Sequence, residues 1–464
     1  MSNKILIVLC LIVSALLPSC KKYLEVNPKS SLSEKQLFES EVGFQQALSG
    51  VYSQMASRDL FGDNLSMGFV SALAQNYAVS GSGVKFVETR ALNYSSAEVI
   101  GITNKIWNTS YSAIAGANKI ILNTEKNRAV LSDMNYALIR AEAIGLRAYL
   151  HFELLRMFGP EYTTGMNLKA IPYKTTVDQY AIVPSTTAQV LTLALADLTE
   201  AEALLKDKDP ILSNSLGRQI KMNYYALKGL EARIRLYAGD KPAALRAAQI
   251  VVGSGKFPFV TTAAASASAG FRDRLYLTEQ VFCIRVRDIK TWAEDEYFKA
   301  NGSTSSKLTR SQANFNTLYE TTDFRLLYRI EQDRGTPFPS KFWQSYQYDT
   351  MDSNRLDQYV PLIRLSEMYY ILAEAAPSVV DGIGYLNMLK ANRGLQALPL
   401  DLSPAALTTE ITKEYQKEFY AEGQLFFYYK RKKILRPQFM NTDLSLSKYV
   451  LPIPQTELEF NPNY

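Results

Sequence analysis

Between Met134 and Phe158 the apolar and small side chains return at Ala137, Ala141, Ile144, Ala148, Leu155 and Phe158. These steps of three, four and seven draw one stripe along a long helix. A stripe of that kind must be buried against a neighbour with a stripe of its own. The chain supplies several. Pro184-Ser185-Thr186 reads as the cap of a helix running to about Leu205, with Leu191, Leu195, Leu198 and Leu205 facing inward. Leu227, Leu230, Ile234 and Tyr237 stripe a third helix, Gly239-Asp240 turns the chain, and Ala243 to Ala248 begin its partner. Leu362, Leu365, Tyr369, Leu372 and Ala376 predict another helix, followed after a short turn by one from Ile383 to Leu395. The expectation is a mostly α protein built from helix pairs.

The pair around Gly239-Asp240, with its tyrosine and small residues, resembles a tetratricopeptide hairpin, a unit of about 34 residues whose stacked copies share a core. A chain of 464 residues exceeds the roughly 250–300 at which single cores stop growing, which also favours lobes or a repeat array. Segments 60–95, 160–184 and 257–350 break the pattern. They mix Gly, Pro, Ser, Asn and Tyr with short apolar runs, the composition of long loops and small strands on a scaffold, where binding residues usually lie.

The N-terminus reads as an export signal. Lys4 is followed by an apolar run from Ile5 to Leu17, thirteen residues, too short for a spanning helix of about 20. Leu17-Pro18-Ser19-Cys20 closes it in the manner of a bacterial lipobox, so residues 1–19 are expected to be removed and Cys20 to carry the lipid. Cys10 leaves with the signal and Cys283 alone remains, so no intramolecular disulfide is expected. In the apolar run Val281-Phe282-Cys283-Ile284 that thiol reads as a small buried hydrophobe. Without Lys4 the chain keeps 50 basic and 45 acidic side chains. Lys430-Arg431-Lys432-Lys433 follows an aromatic run and reads as a solvated helix end, and no nucleic-acid partner is expected.

The chemistry motifs speak mostly by absence. His151 is the single histidine and lies on the stripe of the long helix, where it reads as a core residue. Multi-histidine metal sites are thereby excluded, and a Ser-His-Asp or Cys-His arrangement would have to run through it. Gly253-Ser254-Gly255-Lys256 ends a helix rather than opening one and reads as a helix stop, not a phosphate loop. Gly81-Ser82-Gly83 lacks the strand and helix of a nucleophile elbow. No catalytic residue, cofactor or metal is assigned. The irregular segments instead offer aromatic rings and amides, which stack on sugars or peptides and hydrogen-bond them without reaction. Trp107, at helical spacing with Tyr111, Ile114 and Asn118, reads as core; Trp292 and Trp343 lie in polar loops.

Read in order, a set of short motifs resembles the SusD/RagB family of outer-membrane nutrient-binding lipoproteins, nearly end to end. They include Ile106-Trp107 through Ala117-Asn118-Lys119-Ile120, Arg140-Ala141-Glu142 through Leu146-Arg147-Ala148-Tyr149, and Ile171-Pro172-Tyr173. Asp197-Leu198-Thr199-Glu200-Ala201 and Ala226-Leu227-Lys228-Gly229-Leu230-Glu231-Ala232-Arg233 follow. Near the C-terminus come Arg364-Leu365-Ser366-Glu367-Met368-Tyr369, Asn392-Arg393-Gly394-Leu395, Glu418-Phe419-Tyr420-Ala421-Glu422-Gly423 and Leu451-Pro452-Ile453-Pro454. Tyr428-Tyr429-Lys430-Arg431 departs from the commoner Asp-x-x-Arg ending. The resemblance implies a mostly α, tetratricopeptide-like helical-repeat scaffold with a loop-rich, irregular ligand-binding region. It also implies a lipid anchor at the cell outer membrane and a TonB-dependent partner of the SusC kind, to which an oligosaccharide, or in the RagB-like branch a peptide, is delivered unchanged; the alternative is a non-transport helical-repeat adaptor that holds only a protein partner.

Residues 20–216 and 217–464 are then expected to form the N-terminal and C-terminal regions of one intertwined unit. The ligand face is expected on segments 60–95 and 288–350, around Asn76, Tyr77, Trp292, Tyr297, Trp343 and Tyr346, because a helical scaffold leaves its long insertions at the surface.

Overall fold

The structure, a computed structural model, describes residues 33–464 apart from 82, 179, 214–215, 270, 299–306 and 344–357. The export segment, Cys20 and Tyr346 therefore fall outside the described residues. Among these, ten helices of eight residues or more carry the fold. The chain first forms α1 (Glu41–Met55), α2 (Ala97–Lys126), α3 (Asp133–Phe158) and α4 (Thr187–Leu205). The hairpin α5 (Tyr224–Tyr237) and α6 (Lys241–Gly253) follows, then α7 (Leu365–Ala375), α8 (Val379–Ala391), α9 (Pro404–Glu418) and α10 (Leu425–Lys432).

Successive helices pack side by side, α1 on α2, α2 on α3, α3 on α4, α5 on α6, α6 on α7 and α7 on α8, and α4 also meets α5. The local signals explain the boundaries. Thr186 caps α4 in a reciprocal arrangement with Gln189, and Ser132 caps α3 by accepting from the Asn135 amide. Gly239 makes the hairpin turn with φ +77°, a left-handed value that glycine adopts freely. Helix α3 is the axis of the array and is buried on every side from Ala141 to Phe158. Its Gly145 lets the neighbouring segment approach so closely that an added Cβ would lie 2.6 Å from Met222 Cγ.

Charged side chains bridge the helices inside this apolar frame. Arg147 on α3 donates to both carboxylate oxygens of Asp197 on α4, at 2.8 and 2.7 Å, while Tyr173 donates to the same carboxylate at 2.6 Å. Arg233 on α5 grips Glu367 on α7 in the same fashion, at 2.6 and 2.7 Å. Arg147, Asp197, Arg233 and Glu367, each part of a separate sequence motif, are thus partners in ion pairs.

Among the described residues, three small two-stranded sheets interrupt the helices: β1 (Lys169–Ile171) with β2 (Ser185–Thr186), β3 (Gln280–Arg285) with β6 (Tyr359–Arg364), and β4 (Ile330–Asp333) with β5 (Thr336–Pro339). All three pairs are antiparallel. Here the helical stripe read from Leu362 needs correction. Leu362 lies in β6, whose Pro361 faces Cys283, and α7 starts only at Leu365. The segment Tyr359-Val360-Pro361-Leu362-Ile363 is rich in β-formers and holds a proline, so its three-residue step to Leu365 is a coincidence of spacing. Likewise α8 runs from Val379 to Ala391, and Leu395 lies beyond it, past Gly394 at φ +74°.

The basic run 430–433 is also not a solvated helix end. Lys430 is buried, and its ammonium donates to the carbonyls of Arg156 and Gly159 at the end of α3, at 2.7 and 2.5 Å. Burial, with the Arg156 charge adding to it, pushes its pKa down to about 7. Arg431 forks onto Glu374 at 2.5 and 2.8 Å. The cations do lie in the last turn of α10, as expected, but the Lys430 ammonium is spent on the C-terminal carbonyls of α3 rather than on water.

One apolar cluster runs through the molecule from Phe38 to Leu451. Leu230, fully buried on α5, lies in it. Replacing Leu230 by Ala should cost on the order of 2–5 kcal/mol, read as a shift of the denaturant midpoint with an unchanged slope.

Candidate ligand-binding site

Among the described residues, two open clefts stand out as large enough for a small ligand. The first, of about 650 Å³, is walled by Ser49 and Ser53 of α1, by Ser57 and Arg58 just after it, by Lys221 before α5, by Ile284 to Arg287 at the end of β3, and by Trp292. Trp292 belongs to a short helix, Ile289–Ala293, that continues as a π-turn over Glu294–Phe298.

Its position is held by a chain of polar contacts. The Arg58 guanidinium lies 4.2 Å from the centre of the Trp292 ring and forks onto Glu296 at 2.8 Å twice. Arg58 also reaches Asp63 at 3.1 Å. Tyr297 presents its ring edge to Trp292, 5.8 Å away, and donates its hydroxyl proton to Asp63 at 2.7 Å. Burial pushes Asp63 up to about 6 against these contacts, whereas the hydrogen bond from Arg58 is the main cause that holds Glu296 down at about 2. Trp292 therefore stands half-buried on a pre-formed support, ready to pack a ligand at little conformational cost.

The second cleft, of about 770 Å³, is floored by Trp107, Tyr111 and Pro172 and rimmed by Tyr180 and Phe460, both 81% exposed. It lies between α2, the irregular segment 160–184 and the C-terminal residues 457–461, outside the expected ligand face. Trp107 itself is buried, as its helical spacing predicted.

The expected face is only partly assembled. Trp292 lines the first cleft. Asn76 and Tyr77, by contrast, are interior: the Tyr77 hydroxyl donates to the Met67 carbonyl at 2.5 Å, and Asn76 Oδ1 accepts from the Ala421 amide at 3.3 Å. Asn76 ties the 70s segment to the loop after α9 and Tyr77 ties it back to Met67, so neither offers a surface. Tyr297 is buried beneath Trp292 and supports the cleft without facing it. Trp343 lines neither cleft; it donates to Glu294 at 2.8 Å and carries the Arg274 guanidinium 4.8 Å over its ring. Arg58, Lys221, Arg285 and the serines lie outside the expected set, since single polar residues scattered between positions 49 and 285 carry no local mark of a shared cleft.

The reactive inventory is small. His151 is buried, accepts from the Lys174 amide through Nε2 at 3.0 Å, and is assigned an Nδ1 proton donated to the Arg147 carbonyl at 2.9 Å. It stacks on Tyr173 with centres 3.9 Å apart. Burial foremost, with the Arg147 charge adding to it, lowers its pKa to about 3. Cys283 is buried in β3 and burial pushes its thiol up to about 12. Among the described residues no group of three His, Cys, Asp or Glu is placed to hold a metal ion. None of their helices is long and apolar enough to cross a membrane.

Residues 22–226 match the family described as starch-binding and associating with the outer membrane, and residues 286–438 match the SusD family. Together the two matches take in well over half of the chain, which belongs to the SusD family. It is 26% identical over 262 residues to SusD-like protein P38 of Formosa agariphila, covering 54% of this chain and 46% of that one. SusD-like protein P25 of the same organism is 25% identical over 236 residues, 49% of this chain and 42% of that one. Each match spans less than half the length of the curated relative. Among solved structures, a SusD superfamily protein from Bacteroides thetaiotaomicron superposes with a TM-score of 0.70 at 23% identity, covering 91% of this chain and 98% of that one. A SusD-like carbohydrate binding protein from Bacteroides vulgatus gives 0.73 at 18% identity, covering 91% and 97%. These likenesses concern the fold.

The lone histidine makes a direct test of the interior. Its imidazole signals in a proton–carbon NMR spectrum should show no titration between about pH 5 and 8. With a folded-state pKa below the unfolded 6.5, its contribution to stability is complete above pH 6.5 and falls away as pH drops towards 3.

Proposed function

We propose that this chain is a lipid-anchored, surface-exposed binding protein of the outer membrane. It captures an oligosaccharide and passes it unchanged to a TonB-dependent transporter of the SusC kind. The observation that carries the reading is Trp292, held half-buried by Arg58, Glu296 and Tyr297 at the wall of a 650 Å³ cleft beside three serine hydroxyls. Flat aromatic surface with hydroxyl partners is what a sugar ring requires. Family membership supports outer-membrane association and binding rather than turnover. The cleft serines have no imidazole to activate them, because the sole histidine is committed to the core. The Leu-x-Ser-Cys sequence ending at Cys20 supports the anchor.

Trp292→Ala should weaken oligosaccharide binding by about tenfold and leave the melting temperature nearly unchanged, as measured by calorimetric titration against a glycan panel and by scanning calorimetry. Undiminished binding would move the site to the cleft of Trp107, Tyr180 and Phe460. Binding of peptides in place of glycans would replace the cargo. For the anchor, Cys20→Ala should leave the protein in the soluble fraction of cells lacking the transporter, while the native chain sediments with the outer membrane and yields an acylated Cys20 by mass spectrometry.

A further inference from the structure

The cleft of Trp292 has a charge pattern that narrows its ligand. Its walls carry four cations, Arg58, Lys221, Arg285 and Arg287, and no carboxylate. Their partners differ. Arg58 is neutralised by Glu296 and Asp63. Arg287 is 92% exposed and lies 3.5 Å from Asp288. Lys221 and Arg285, however, have no carboxylate partner among the described residues. The Lys221 ammonium rests 4.6 Å from the centre of the Tyr52 ring. Arg285 donates through Nε to the amide oxygen of Gln358 at 3.1 Å, and its two terminal guanidinium nitrogens make no hydrogen bond among the described residues.

The second cleft provides the contrast. There Lys174 pairs with Asp178 at 2.6 Å and Lys119 with Glu34 at 2.8 Å, so its cations are already compensated. Closing a ligand over unpaired cations strips water from them, a cost that a neutral ligand offsets poorly and an anionic one offsets well. A guanidinium also matches the two oxygens of a carboxylate or sulfate in one plane.

We propose that the Trp292 cleft takes an anionic glycan, a chain bearing uronate carboxylates or sulfate half-esters, with Lys221 and Arg285 receiving the acidic groups while Trp292 packs a sugar face. This rests on the reading of that cleft as a glycan site. The serines favour a hydroxyl-rich ligand over an acidic peptide.

The test titrates the full mature protein with galacturonate hexamer, chondroitin sulfate hexasaccharide, maltohexaose, cellohexaose and a glutamate hexapeptide. One of the acidic glycans should bind at least tenfold more tightly than the neutral ones. Its affinity should fall several-fold when salt is raised from about 50 mM to about 500 mM, because exposed charges are screened. The double variant Lys221→Gln with Arg285→Gln should lose most of that affinity at an unchanged melting temperature. Which of the two acidic glycans binds separates carboxylate from sulfate. A neutral glycan that binds most tightly, with an affinity indifferent to salt and to the double variant, overturns the anionic assignment and leaves the glycan reading standing. Failure of every glycan to bind, or glycan binding that survives Trp292→Ala, overturns the reading of the cleft itself. Equal binding of the hexapeptide overturns the glycan class.

Discussion

The carboxylate of Glu418, at the end of α9, receives three guanidinium groups at once. Arg364 donates to it at 2.6 Å, Arg325 at 2.9 Å and Arg393 twice at 3.0 Å. All four side chains are buried. Burial alone would push this carboxyl up, and the charges of Arg393, Arg364 and Arg325 outweigh it, so it is held well below the ordinary carboxylate range. Such a charge is tolerable in an interior only while every partner is present, and removing one partner leaves an uncompensated ion that costs about 3–5 kcal/mol. The four residues come from β6, from the turn after α8, from the short helix Phe324–Arg329 and from α9. Strand, turn and helices must therefore be correctly placed together or not at all.

The same device recurs where helices meet. Arg147 with Asp197, Arg233 with Glu367 and Arg431 with Glu374 are each two-pronged. They join α3 to α4, α5 to α7 and α10 to α7. Apolar stripes decide that helices pack, but a stripe of alanines and leucines tolerates sliding by a turn. A forked ion pair does not, because its geometry is planar and both oxygens are used. The array thereby becomes a stiff frame. On that frame the π-turn of Glu294–Phe298 and Arg58 hold Trp292 at the cleft wall.

Some of this was legible before any coordinates. The stripes of α3, α4 and α5, the turn at Gly239 and the helix stop after Gly253 stand where periodicity and local punctuation put them, because a helix is specified by neighbours three and four residues away. The core role of His151 and Trp107 follows from the same periodicity, and that of Cys283 from its apolar run. Leu362 looks helical in the sequence because a β-strand entering a helix can mimic the helical step for one repeat. Lys430 looks solvated in the sequence because four consecutive cations normally face water, and only the C-terminal carbonyls of α3 give this one a reason to be buried.

Aromatic residues in irregular segments were the least legible. Tyr77, Tyr297 and Trp292 share a loop-like setting in the sequence, yet the first two are interior and the third lines a cleft. The difference lies in partners far along the chain: Tyr297 meets Asp63 across 234 residues, and Arg58 meets Glu296 across 238. Helix positions, the hairpin and the family follow from short-range periodicity and the order of motifs, which reside in the chain itself. Which ring is exposed, which ion is paired and where a cleft opens depend on distant segments crossing at a few ångströms, a relation that arises only when the folded frame brings them together.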